Sequence, residues 1–294
     1  MRALSFFPKT LNLNIIRRTF ATPVQQVQQV QDVDLSHLCE KDTGISVLSL
    51  NCIQNRNTIT SSLVDNLNRV FDTVGKLDTK VLIIKSNVPK IFCTGADLKE
   101  RLKMSERDVA SFVNYIRSTL HRLHLLPMPV IAALDGSALG GGLEMALACD
   151  IRVAASSIKL GLVETRLAII PGAGGSVRLP RLINPALAKE LIYTAKVFDG
   201  SEAKAMGVVN HVVEQNDDGN AAYLRSLGIA REILPNGPIA LRMAKFAINK
   251  GVEVDINTAL SFEEAAYSQV IPTRDRIEGL RAFVEKRRPS YTGE

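Results

Sequence analysis

An α/β fold is predicted, with a core in which short buried strands alternate with amphipathic helices and a C-terminal region that is mostly helical. Three observations predict it. Short apolar runs recur at 45–50, 81–86 and 130–134, as expected of strands covered on both faces. Between them, 60–74 and 105–126 carry apolar residues at helical spacing. From 185 onward the pattern is mostly helical, over 186–195, 201–206, 221–233, 238–248, 256–270 and 274–286.

The N-terminus has its own character. No acidic residue occurs before Asp32, while Arg2, Lys9, Arg17 and Arg18 are interspersed with Leu4, Phe6, Phe7, Leu11, Leu13, Ile15 and Ile16. Such basic, acid-poor composition is that of a mitochondrial transit peptide. The Arg18-Thr19-Phe20-Ala21 tract resembles a matrix processing site cut after Phe20, so 1–20 is assigned to targeting and the mitochondrial matrix is the expected location. The Gln/Val-rich stretch that follows is polar, and 21–43 is read as a linker or N-terminal extension. Residues 44–200 then form the core and 201–294 the helical C-terminal region.

The strand at 45–50 leads to the helix at 60–74, where Leu63, Val64, Leu67, Val70, Phe71 and Val74 make one stripe and Thr60 is positioned as its cap. After the strand at 130–134, the run Gly140-Gly141-Gly142-Leu143-Glu144 predicts a tight strand-to-helix turn. Its unpaired helix-start amides would attract negative charge. Further strands are expected at 151–154 and 159–163, and a second acid, Glu164, follows. The glycine run by itself reads equally well as a tight turn with both acids on the surface.

Composition excludes several function classes. The 294 residues are 46% hydrophobic and 22% charged, which is ordinary globular composition, and one large domain is expected. No apolar stretch approaches the roughly 20 residues of a membrane span, so no membrane partner is expected. The net charge of +6 falls to 6 − 4 = +2 without the four presequence cations, so bulk charge gives little support to nucleic-acid binding. Cys39, Cys52, Cys93 and Cys149 form no C-x-x-C pair, and His121 and His124, three apart on one helix, have no acid or cysteine beside them to complete a metal site. No metal is expected. The Pro171-Gly172-Ala173-Gly174-Gly175 run fails the dinucleotide fingerprint because Val177 stands at the last glycine position.

Several motifs taken together are more specific. Phe92-Cys93-Thr94-Gly95-Ala96-Asp97-Leu98, then 131–136 running into Ala138-Leu139-Gly140-Gly141-Gly142-Leu143-Glu144, then Cys149-Asp150-Ile151-Arg152-Val153-Ala154, resemble in order and spacing the crotonase (enoyl-CoA hydratase/isomerase) superfamily. Leu162-Val163-Glu164, 171–175, 203–207 and Phe283-Val284-Glu285-Lys286-Arg287 fit the same family, so the resemblance covers nearly everything after Gly44.

The resemblance implies a crotonase-like spiral of β-β-α units with a helical C-terminal region that trimerises, as a homotrimer or a hexamer built as a dimer of trimers. It implies water addition to an α,β-unsaturated acyl-CoA, with an oxyanion hole at Ala96 and Gly141. Glu164 would protonate the α-carbon, and Glu144 would orient and deprotonate the water. Coenzyme A is then the substrate carrier, and no cofactor is required. Candidate contacts to substrate and CoA are Arg56, Asn57, Thr58, Thr94, Gly95, Asp97, Lys99, Gly140 and Gly142, with Phe283 and Lys286 reaching over from a neighbouring subunit.

Within the family, 96–101, 161–171 and 271–276 are similar to the mitochondrial branch that hydrates 3-methylglutaconyl-CoA in leucine breakdown. That substrate carries a distal carboxylate, for which Arg101 or Lys103 is a candidate partner. A general short-chain enoyl-CoA hydratase of fatty-acid oxidation is the alternative, since a second mitochondrial branch shares many of these tracts. Binding of AU-rich RNA is the alternative of another class. The branch's RNA-binding lysines fall here on Ser61, Asp65 and Arg69, one cation in three with an added acid, which weakens phosphate neutralisation. Two other departures, Cys52 for an arginine and Val177 for a glutamine, touch neither proton-transfer group.

Overall fold

The structure is a computed structural model and describes residues 24–30 and 32–294. Residues 1–20, assigned to targeting, lie outside the described residues. A hairpin of β1 (Val24–Val30) and β2 (Val33–Leu38) leads into β3 (Ile45–Leu50), to which β2 pairs antiparallel. The stretch over 21–43, read as a linker or N-terminal extension, contains these two strands. Val33 and Leu35 are fully buried, and the polar residues interleaved with them, Asp34, Ser36 and His37, belong to a two-sided strand rather than a solvated tether.

From β3 onward the large sheet is parallel. It runs through β4 (Val81–Ser86), β6 (Val130–Leu134), β8 (Ile151–Ala155) and β11 (His211–Val213), giving the order β1-β2-β3-β4-β6-β8-β11. The strand period of two divides β4 between two cores. Leu82 and Ile84 join the main cluster with α1 (Ser61–Val74) and α3 (Glu106–His124), whereas Val81 and Ile83 face the smaller cluster under α8 (Ala221–Ile233). Both long helices start where their caps predict. Thr60 Oγ1 accepts from Leu63 N at 3.1 Å, and Ser105 Oγ accepts from Asp108 N at 3.3 Å.

A second, four-stranded sheet positions the site. Its strands are β5 (Ile91–Cys93), β7 (Ser137–Leu139), β9 (Lys159–Gly161) and β10 (Phe198–Asp199), with β5, β7 and β9 mutually parallel. Each turn of the spiral thus places one strand in the large sheet, the next in the small sheet, and then a helix or helical turn. The helices that follow are α2 (Leu98–Arg101) and α3 after β5, α4 (Gly141–Ala148) after β7, and a 3-10 turn (Glu164–Leu167) with α5 (Gly175–Leu182) after β9. The exits of the three parallel strands therefore lie side by side.

The remaining helices are α6 (Pro185–Tyr193), α7 (Gly200–Ala205), α9 (Pro238–Gly251), α10 (Ile256–Val270) and α11 (Arg274–Val284). Asp42, fully buried, accepts from Arg231 Nε at 2.6 Å and Nη2 at 2.8 Å, a bidentate ion pair joining α8 to the turn before β3. No described helix is long and apolar enough to cross a membrane.

Candidate active site

The exit of β5 and the exit of β7 are pressed together, and glycine makes this possible. Gly95 has φ +90°, and a Cβ there would lie 2.9 Å from Leu139 O. Gly140 adopts φ 52° and ψ −125°, a conformation for which a side chain is poorly suited. A Cβ on Gly142 would lie 2.1 Å from Cys93 O, so the first turn of α4 rests directly on the end of β5. This approach carries Gly141 alongside Ala96, and a Cβ on Gly141 would lie 3.8 Å from Ala96 N.

The two amides at this junction are free to serve a ligand. Ile59 N donates to Gly95 O and Asp97 N donates to Ile59 O, which skips Ala96; Gly141 N is an orphan donor of a helix start. Neither donates to another protein group among the described residues. Both residues line a cavity of about 590 Å³, a size suited to a small-molecule site.

Two carboxylates line the same cavity. Glu144 sits in the first turn of α4 and is 3% exposed. Its Oε1 accepts from Ala173 N at 2.8 Å, in the loop before α5, and from Gly175 N at 2.7 Å, at the start of α5. Burial pushes its pKa upward, and the two amides oppose that push. Glu164 begins the 3-10 turn after β9 and is 9% exposed, with neither oxygen hydrogen-bonded. Burial first, and the Glu144 charge second, raise its pKa to about 7. The side chain is held close to the glycine turn, since a Cβ on Gly140 would lie 3.2 Å from Glu164 Oε1. Ala168, in the left-handed region at φ 56°, closes the turn, and Thr165 Oγ1 ties it to Ile192 O at 2.7 Å.

The chemistry open to this arrangement follows from its parts. Two preorganised amides can receive a developing oxyanion without reorganising. One carboxylate is fixed as an acceptor and the other is poised to hold a proton near neutrality, so the pair can supply a base and an acid at once. The rest of the wall is largely apolar, with Val109, Val113 and Ile116 from α3 and Leu167, Ile169 and Ile170 from the loop after β9.

The other candidate contacts distribute unevenly. Thr94, Gly95 and Gly140 line the cavity, and Thr94 Oγ1 donates to Arg56 O at 3.3 Å, placing exposed Arg56 beside Thr94. Asn57 is fully buried, with Oδ1 accepting from Cys52 N and Nδ2 donating to Ser86 Oγ and Phe92 O, so its side chain is committed to the fold. Thr58 Oγ1 is buried without a partner. Asp97 caps α2 through Lys99 N and Glu100 N, and Lys99 is exposed outside the cavity wall. Gly142 packs against β5 rather than facing the cavity. Phe283 and Lys286, at the end of α11 and just beyond it, are exposed and do not line it.

Two features escaped sequence reasoning. The donors to Glu144 come from the 171–175 loop, whose glycines were visible but whose amides have no sequence signature. Arg117 lines the cavity from α3 and donates through Nε to Gly172 O at 2.8 Å, bracing the same loop. On the helix face where RNA-binding lysines were sought, Ser61 Oγ donates to Glu100 and Asp65 accepts from Tyr115, so two of the three positions serve internal contacts.

Comparisons with known proteins agree with this geometry. The family model for enoyl-CoA hydratase/isomerase matches residues 40–294. Human mitochondrial methylglutaconyl-CoA hydratase is 56% identical over 271 residues, covering 92% of this chain and 80% of that protein. Human mitochondrial enoyl-CoA hydratase domain-containing protein 2 is 48% identical, covering 90% of each. The crystal structure of an enoyl-CoA hydratase from Bacillus anthracis superposes with a TM-score of 0.85 at 46% identity, covering 90% of this chain and all of that one. The free amide pair, the two buried glutamates and the β-β-α spiral that brings them together therefore have a family setting, and the chain belongs to the enoyl-CoA hydratase/isomerase family.

Proposed function

We propose that this protein adds water across the double bond of an α,β-unsaturated acyl-CoA, and that its substrate is 3-methylglutaconyl-CoA, giving 3-hydroxy-3-methylglutaryl-CoA in leucine degradation. The observation that carries the reaction is the unequal pair of glutamates facing two free amides in one cavity. The identity to the human protein named methylglutaconyl-CoA hydratase supports the substrate.

In this reading Ala96 N and Gly141 N hold the thioester oxygen as negative charge develops on it. Glu144 accepts a proton from water as the water oxygen bonds to the β-carbon. Protonated Glu164 gives its proton to the α-carbon as the double bond is lost. The pair carries one proton before and after the step, and exchange between the two carboxyls or with solvent restores the starting state. Charge is handled by amides and carboxylates alone, so no cofactor is invoked and coenzyme A enters as the carrier. The mitochondrial names of the relatives and the basic N-terminal composition support a matrix location. Assembly through the C-terminal helices into a homotrimer or hexamer accounts for their exposed apolar residues.

The test follows loss of conjugated enoyl-thioester absorbance with protein starting at Ala21. Faster turnover of 3-methylglutaconyl-CoA than of crotonyl-CoA supports the reading. Preference for crotonyl-CoA would leave the reaction in place and move the chain to general short-chain hydration, and turnover of neither would overturn the hydratase assignment.

A further inference from the structure

We propose that Arg101 is the residue that selects an acyl chain ending in a carboxylate, by pairing with that carboxylate inside the cavity that holds Glu144 and Glu164. This rests on the hydratase reading for its substrate and adds the group that would recognise it.

Two arginines line the cavity, and their guanidinium groups are engaged differently. Arg117 is held by the protein through two of its nitrogens, with Nε donating to Gly172 O at 2.8 Å and Nη1 to Asn114 Oδ1 at 2.7 Å. Arg101 Nε is buried and has no hydrogen-bond partner, and Arg101 forms no ion pair among the described residues. A buried donor left unpaired is costly. Such a group is suited to a ligand that brings its own acceptor oxygens. Lys103, the alternative cation on the same segment, is exposed and lies outside the cavity wall.

The placement suits a short, branched, dicarboxylic acyl chain. Arg101 N donates to Asp97 O at 3.1 Å, so Arg101 stands one helical turn beyond the residue that follows Ala96. The amide that would receive the thioester oxygen and the cation that would receive the far carboxylate are thus carried by one short, capped segment. The two catalytic glutamates repel a carboxylate, and the walls from α3 and from 167–170 are apolar apart from Arg117, whose Nε and Nη1 are already engaged. A substrate with a distal carboxylate therefore needs a cation here, and an uncharged enoyl chain does not.

The Arg101 charge also bears on both glutamates and opposes the upward push on their pKa values, so its loss will disturb turnover of any acyl-CoA to some extent. Selectivity, not rate alone, is therefore the readout. Wild type, Arg101→Met and Arg101→Lys are compared for kcat/KM on 3-methylglutaconyl-CoA and on crotonyl-CoA. In parallel, binding of the unreactive pair glutaryl-CoA and butyryl-CoA is measured by calorimetry.

We expect Arg101→Met to lower kcat/KM on the dicarboxylic substrate roughly 10- to 100-fold more than on crotonyl-CoA, the range of one charge-assisted hydrogen-bonded contact. It should weaken glutaryl-CoA but not butyryl-CoA to a similar degree, and Arg101→Lys should restore part of the difference. Equal losses on both substrates, or no change in the glutaryl-to-butyryl binding ratio, would overturn the proposal. If wild type fails to hydrate 3-methylglutaconyl-CoA yet binds glutaryl-CoA in an Arg101-dependent way, the hydratase substrate is wrong while the carboxylate site stands.

Discussion

The spiral core and the C-terminal helices solve opposite packing problems. Strands β3 and β6 are buried along their whole length, and α1 buries seven of its residues, including Leu63, Leu67 and Phe71, so the core closes on itself. By contrast α9 buries none of its residues, α10 buries only Ala266, and Ile248, Ile256, Leu260, Tyr267 and Phe283 are exposed on α9 to α11. Apolar exposure on that scale marks a surface made for contact. On the proposed reading the core holds the chemistry and the rigidity it requires, and the helical arm is the surface proposed for assembly. If that division is right, core changes should alter catalysis or folding in the single chain, and arm changes should alter association first.

The largest effect is expected at Glu144. Glu144→Gln keeps the shape and can still accept from Ala173 N and Gly175 N through its carbonyl oxygen, but cannot take a proton from water. Turnover should fall about 10²- to 10⁴-fold, measured by loss of enoyl-thioester absorbance, with the circular dichroism spectrum unchanged. A next effect falls on folding. At Gly142 an added Cβ would lie 2.1 Å from the backbone oxygen of Cys93, which cannot move aside, so Gly142→Ala should cost more than about 3 kcal/mol in urea unfolding and leave little soluble protein.

A smaller effect separates burial from catalysis at Glu164. Its carboxyl titrates at about 7 in the fold against an ordinary 4.5, so the folded state binds the proton more tightly than the unfolded state. Stability is then lost as pH rises from about 4.5 to 7, and the loss is complete above that range. Glu164→Gln should accordingly raise stability at about pH 8, by at most about 3 kcal/mol, and the gain should vanish below about pH 5. Thermal melts across that range would show a gap between the two proteins that opens with pH; a constant gap would contradict the burial argument.

The smallest change in single-chain stability is expected on the arm. Phe283, 84% exposed, loses little in the isolated chain when changed, so Phe283→Asp should shift stability by less than about 0.5 kcal/mol. Analytical ultracentrifugation should nevertheless show a smaller assembly. An unchanged assembly would break the contrast between core and arm.

What could be read from the sequence tracks the length and one-sidedness of each element. β3, β4 and β6 were legible to their ends, because short, largely apolar runs of this length suit strands covered on both faces. The bounds of α8 and α10 were equally clear. Of the small sheet only β9 was legible, inside the strand expected over 159–163; β5, β7 and β10 were not, because they are two or three residues long, too short for a period of two to register. β2 was not read as a strand, because its alternation with Asp34, Ser36 and His37 shows a core face only once its pairing with β3 is known. α5 was not foreseen, with Pro180 in its interior. At the site, Glu144, Glu164, Ala96 and Gly141 were legible as a family pattern around a glycine run. The contacts that make the two glutamates unequal were not, since they come from amides 29 and 31 residues away.

The central claim is that Glu164, unpaired and poised near neutrality, is the proton donor in a hydratase. Its most direct test compares wild type with Glu164→Gln for both binding and turnover, using calorimetry with a saturated acyl-CoA and absorbance loss with 3-methylglutaconyl-CoA. The account predicts binding within a few-fold of wild type and turnover reduced at least about 10²-fold, with wild-type turnover falling as pH rises above about 7. Turnover retained in Glu164→Gln would contradict it.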